Sequence, residues 1–108
     1  TVVDESRRDG GQIYRRQPEG FKRPYSKLYG TEADKAQALH SGFDALRPHI
    51  DYRPDTLAWN HTAGELHVVS QGEPATLAYD ALILCAEQWL FDKGGNAHTS
   101  TFTALVKA

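Results

Sequence analysis

The sequence predicts an α/β domain with one main helix, a parallel sheet and a small antiparallel β-meander. Three observations predict it. Apolar residues recur at 3-4-3 spacing through TEADKAQALHSGFDALRP, the periodicity changes to two after Pro48, and the run ALILCA is apolar on both faces. With 108 residues the chain suffices for one modest core.

Val2 and Val3 open the chain as a short strand that ends in two acids, Asp4 and Glu5. SRRDGG follows, and its glycines reach backbone conformations that other residues avoid. From Gln12 to Gly30 the pattern predicts a long loop with Tyr14, Phe21, Tyr25 and Tyr29 as aromatic anchors, broken by Pro18 and Pro24. A connection this much longer than the usual ~4–6 residues is a candidate functional segment.

A helix is expected from Ala33 to Arg47. Thr31 is placed to cap it, Glu32 and Asp34 suit its positive end, and Ala36, Leu39, Phe43 and Leu46 mark its apolar face. Pro48 stops it. Gly42 costs roughly 1 kcal/mol against alanine inside a helix, so close packing against a sheet is the expected reason for it.

DYRPDTLAWNH, ELHVVSQ and PATLAYDALILCA read as three extended runs joined by turns at Thr62-Ala63-Gly64 and Gly72-Glu73-Pro74. The final stretch, Ala81 to Ala86, is expected in the middle of a parallel sheet with a layer on each side. In the tail from residue 87 only Phe102 to Val106 shows a pattern, which fits a final strand or a short helix.

Composition narrows the function classes. Apolar residues make up 40% and charged residues 24%, the ordinary balance of a folded, non-fibrous protein. No apolar run approaches the roughly 20 residues that span a bilayer, and no basic-then-apolar leader stands at the start. Together with one cysteine, Cys85, this predicts a cytoplasmic protein without membrane segments or an intrachain disulfide. Residues 1–30 hold seven basic and four acidic side chains, an excess of +3 in a chain of net charge −2. The arginines alternate with glycine, proline and acids without a nucleic-acid motif, which predicts a solvated loop near a phosphate-bearing ligand and no nucleic-acid partner.

VVDESRRDGGQIYR, the helix, IDYRPDTLAWN and the closing ALILCA together resemble the FAD/NAD-binding domain of the pyridine nucleotide-disulphide oxidoreductase superfamily. The similarity is to the branch of opine oxidase large subunits, hydrogen cyanide synthase flavin subunits and sarcosine oxidase alpha-type subunits. It covers about residues 1–86 and rests mainly on VVDE followed by GGQIYR. The resemblance implies a partial Rossmann-like fold and flavin chemistry on amino-acid or opine C–N bonds, the flavin taking a hydride. It implies that Glu5, with Asp4 second, accepts hydrogen bonds from a ribose hydroxyl of FAD, or of NAD. Gly10, Gly11 and Gln12 would pass close to the dinucleotide.

The departures are equally specific. The sequence contains no G-x-G-x-x-G, the turn that delivers a helix N-terminus to the pyrophosphate. Ala86 and Glu87 stand where the family continues Ala-Thr-Gly, and residues 87–108 form an unassigned segment. The chain therefore reads as a truncated segment of a flavoenzyme that is inactive alone and does not retain FAD. The alternative is a non-catalytic module that self-associates or docks on a partner oxidoreductase subunit, with Thr101–Val106 of the same or a neighbouring chain supplying a missing strand.

Other chemistry has little support. His40, His49, His61, His67 and His98 lack metal-ligand spacing and read as surface or hydrogen-bonded histidines. No G-x-S-x-G elbow positions a nucleophile. Cys85 is expected to be buried and unreactive, and Trp59 and Trp89 to be packing groups. No catalytic residue and no metal ligand is assigned.

Overall fold

Two adjacent β-branched valines suit a pleated strand, and β1 runs Val2–Asp4 with Val3 fully buried. The computed structural model describes residues 1–86, 89–91, 97–99 and 102–107, with side chains up to residue 85. A long loop leads from β1 to a short helix, α1 (Tyr25–Tyr29), a 3-10 turn over Gly30–Glu32 and the main helix, α2 (Ala33–Leu46). A second 3-10 turn around Pro48, Arg47–His49, ends α2 one residue before the expected boundary.

Thr31 does not cap α2. The preceding turn is already helical and runs straight in, so the Ala33 amide donates to the Gly30 carbonyl and no side-chain cap is needed. The expected apolar face is also only partly right. Ala36 is buried, but its companion is His40, whereas Leu39 and Leu46 are 52% and 57% exposed. The helix turns its buried stripe toward the loop and α1, where Tyr25 and Tyr29 stack around His40. Phe43 alone of the expected stripe meets an aromatic partner across the fold, edge-on to Tyr52 at 5.0 Å.

Strand β2 (Tyr52–Arg53) returns parallel to β1, in register Val2↔Tyr52 and Val3↔Arg53. The four-stranded sheet has the order β2-β1-β9-β6, where β6 is Ala81–Ala86 and β9 is Phe102–Lys107. β9 pairs antiparallel with both neighbours, so β1, β2 and β6 share one direction and β9 alone opposes them. β9 is thus the strand, not the helix, of the two readings of the tail.

β6 does not lie in the middle of a parallel sheet. It stands at the sheet's end, and Ile83 and Leu84 are 58% and 46% exposed. Apolarity on both faces needs a layer on both sides to become burial, and of the described β6 side chains only Leu82 packs against the core. Cys85 is exposed for the same reason.

The extended run after Pro48 divides at Asp55, whose φ of +50° turns the chain into a different sheet. There β3 (Thr56–Thr62), β4 (Glu65–Ser70) and β5 (Glu73–Ala78) form the expected meander, antiparallel throughout. Its second turn falls on Gln71 and Gly72, both at positive φ, leaving Pro74 in the edge strand, where a missing amide is tolerated. Val3, Ala58, Leu66 and Val68 make the core, with Leu77, Tyr79 and Leu82 packed against it. Trp59, expected to be a packing group, is largely exposed on the opposite face and touches His67. β7 (Trp89–Phe91) and β8 (Ala97–Thr99) pair as a separate ribbon; the side chains of Trp89 and His98 lie outside the described residues. Among the described residues no helix is long and apolar enough to cross a membrane.

Gly42 makes no close packing contact: a Cβ there would find no atom within 4 Å. Gly42→Ala should therefore stabilise the protein by about 0.5–1 kcal/mol, the intrinsic helical gain, in urea unfolding. A loss of stability would mean that the helix sits closer to a neighbour than the structure has it.

Candidate functional site

The acids and glycines after β1 are organised by short-range geometry. Asp4 Oδ1 accepts from the Ser6 amide at 2.9 Å, turning the chain out of the strand. Its Oδ2 accepts from the Tyr52 hydroxyl at 3.2 Å, and the Ser6 carbonyl accepts from the Asp55 amide. Gly10 then sits at φ +112° while the Tyr14 amide donates back to the Gly10 carbonyl at 3.0 Å. A Cβ on Gly10 would lie 2.1 Å from the Tyr14 carbonyl oxygen, so only glycine fits.

Arg16 fixes this loop to α2. Its guanidinium donates to Asp9 at 3.0 Å, to both Asp44 oxygens and to the His40 carbonyl at 2.8 Å. The His40 ring completes the attachment, with Nε2 2.6 Å from the Tyr14 carbonyl and Nδ1 2.9 Å from the Tyr25 hydroxyl. A carbonyl only accepts, so Nε2 carries a proton; in the neutral ring Nδ1 then accepts from Tyr25. His40 is a hydrogen-bonded core histidine, one of the two alternatives its sequence context allowed.

Because α2 faces this loop, the space between α2 and the four-stranded sheet stays open. A cavity of about 750 Å³ lies there. Leu39, Gly42, Phe43 and Leu46 form its helix side, Val2 and Cys85 its sheet side, and Asp4, Asp9, Gly10, Gly11 and Tyr52 supply the polar part. Of the residues expected to bind a dinucleotide, Asp4, Gly10 and Gly11 line this cavity. Glu5 and Gln12 do not: Glu5 is exposed, with no hydrogen bond or ion pair of its carboxylate among the described residues, and Gln12 lines a smaller recess with Ile13 and Tyr14.

Tyr52, Phe43 and Cys85 join the site without having been assigned to it. Tyr52 stands in an alternating run, but only the register Val2↔Tyr52 brings its hydroxyl to Asp4. Burial pushes the Asp4 carboxyl above its ordinary value, against the lowering effect of the Ser6 and Tyr52 hydrogen bonds. Burial, reinforced by the Asp4 charge, drives the Tyr52 hydroxyl far up as well. The site thus offers a hydrogen-bonded acid pair and an apolar wall. Among the described residues no three of His, Cys, Asp and Glu converge as metal ligands.

Set against family models, curated proteins and solved structures, the chain gives no significant match.

The raised Asp4 value has a definite sign. A carboxyl whose folded pKa lies above its unfolded one, near 3.8, contributes stability that is fully present below that unfolded value. The contribution is lost as pH rises through the folded value. Asp4→Asn, which cannot ionise, should therefore gain stability relative to the unsubstituted protein as pH rises from about 3 to about 7, in urea titrations at each pH. A gap moving the other way would show that the hydrogen bonds outweigh burial.

Proposed function

We propose that the chain is a segment of an FAD-dependent oxidoreductase of the pyridine nucleotide-disulphide oxidoreductase superfamily, and that it neither catalyses nor retains a dinucleotide by itself. One observation carries the reading. Asp4, at the carboxyl end of β1, and the pair Gly10-Gly11 meet at a single cavity beside α2, the helix that carries the chain from β1 to the parallel strand β2. In open α/β sheets ligands bind beyond the carboxyl ends of the parallel strands, with an acid at the end of the second strand taking the ribose. Asp4 lines the cavity and already accepts from Ser6 and Tyr52; Glu5, next to it but outside the cavity lining, is the ribose acid that the resemblance puts first.

The missing part is the pyrophosphate site. In such a fold a strand parallel to β1 leads through a glycine-rich turn to a helix N-terminus. Between β1 and β6 this chain has β9, which runs antiparallel to both, and the sequence holds no G-x-G-x-x-G. A bound flavin would supply the hydride acceptor; the residues described here would supply the ribose acid and the close backbone approach at Gly10 and Gly11.

A hydrogen bond exposed to water contributes on the order of 1 kcal/mol net, while association costs several kcal/mol or more in lost ligand freedom. The purified chain should therefore be colourless, and isothermal titration should find FAD and NAD binding no tighter than about millimolar. Micromolar binding abolished by Glu5→Ala would overturn the remnant reading and establish a working dinucleotide site.

A further inference from the structure

We infer that the cavity between α2 and the four-stranded sheet is a binding site for a small organic cation, a primary ammonium on an apolar tail that carries no anionic group. The cavity, of about 750 Å³, falls in the size range of small-molecule sites. Its wall is apolar, with Val2 from the sheet and Leu39, Gly42, Phe43 and Leu46 from α2. Leu39 and Leu46 are more than half exposed, so an apolar tail entering here takes out of water a surface that the fold leaves wet.

The polar end fixes the charge of the ligand. Asp4 and Asp9 supply the carboxylates there, and no lysine or arginine is among the lining residues. Asp9 is matched by Arg16, which it shares with Asp44. Asp4 is 7% exposed and has no ion pair among the described residues; it accepts only from the Ser6 amide and the Tyr52 hydroxyl. An ionised carboxylate offers about four acceptor positions, so about two remain for a ligand. A buried carboxylate without a counter-charge is unfavourable, and a cation hydrogen-bonded to it offsets much of that penalty. Burial holds the Asp4 carboxyl above its ordinary range, and an arriving ammonium favours the ionised form in return. Phe43 and Tyr52, edge-on to each other at 5.0 Å, add aromatic surface to the lining, and aromatic faces attract cations.

The same chemistry disfavours anions. The phosphates of a dinucleotide find no cation in this lining, and an amino acid with its ammonium at Asp4 would bring its own carboxylate close to that acid. The inference therefore goes beyond the dinucleotide reading and does not rest on it. Binding of FAD and binding of an amine are separate measurements, and either can fail alone.

Calorimetry and ligand-observed proton NMR with hexylammonium, hexanol, hexanoate and 2-aminohexanoate provide the test. Hexylammonium is expected to bind in the millimolar range or tighter, at least about tenfold more tightly than hexanol and than either carboxylate-bearing probe. Butylammonium should be weaker by about three- to fourfold for each methylene removed. Asp4→Asn should bring hexylammonium down to the level of hexanol. Gly42→Leu fills the cavity from a position where a Cβ meets no atom within 4 Å; this variant should stay folded by circular dichroism and lose at least about tenfold in hexylammonium affinity. No binding of hexylammonium by about 10 mM, no preference for it over hexanol or hexanoate, or binding indifferent to both substitutions in folded protein would overturn the inference.

Discussion

The Arg16 guanidinium is the constraint from which the arrangement of the glycine loop follows. It is 13% exposed and Asp9 is 10% exposed, so the pair lies largely out of water. Removing one member of such a pair leaves the other desolvated without compensation, at a cost of about 3–5 kcal/mol. The same guanidinium reaches the Asp44 carboxylate and the His40 carbonyl on α2. One side chain therefore ties the loop that carries Gly10 and Gly11 to the face of α2 that the loop covers.

The last consequence is the most far-reaching. A helix that turns Ala36 and His40 toward the loop leaves Leu39, Gly42 and Leu46 facing the gap between helix and sheet. The sheet beneath is narrow, with β9 opposed to its neighbours and β6 at its end. The fold thus retains a ligand-sized space with an acid and a glycine turn at its polar part. The Asp4 carboxylate that closes the turn is also tied to Tyr52, so it links β1 to β2 as well as lining the space.

Local elements were legible because local chemistry decides them. β1, the start of α2, its end near Pro48 and the turn at Gly64 follow from β-branched residues, helical spacing, a proline ring and a positive φ of +81°. Burial was less legible, since apolarity states that a residue can be covered and not that a second layer exists. Ile83, Leu84 and Cys85 lie at the end of a sheet, Trp59 faces away from the core, and Gly42 borders open space. The capping role of Thr31 failed because α1 and its 3-10 extension supply the amides' partners from the backbone. At the site, the glycine pair was readable from two letters, but the Arg16 contacts to α2 and the Tyr52 contact to Asp4 join residues separated by 24 to 48 positions, which no local pattern encodes.

A double-mutant cycle on Arg16→Met and Asp9→Asn tests the central claim most directly. If the pair holds the loop as described, its coupling energy in urea unfolding is about 2 kcal/mol or more, as for a largely buried, hydrogen-bonded ion pair. A coupling energy below about 0.5 kcal/mol, the range of exposed pairs, would contradict it, because the loop would then be held by something other than Arg16.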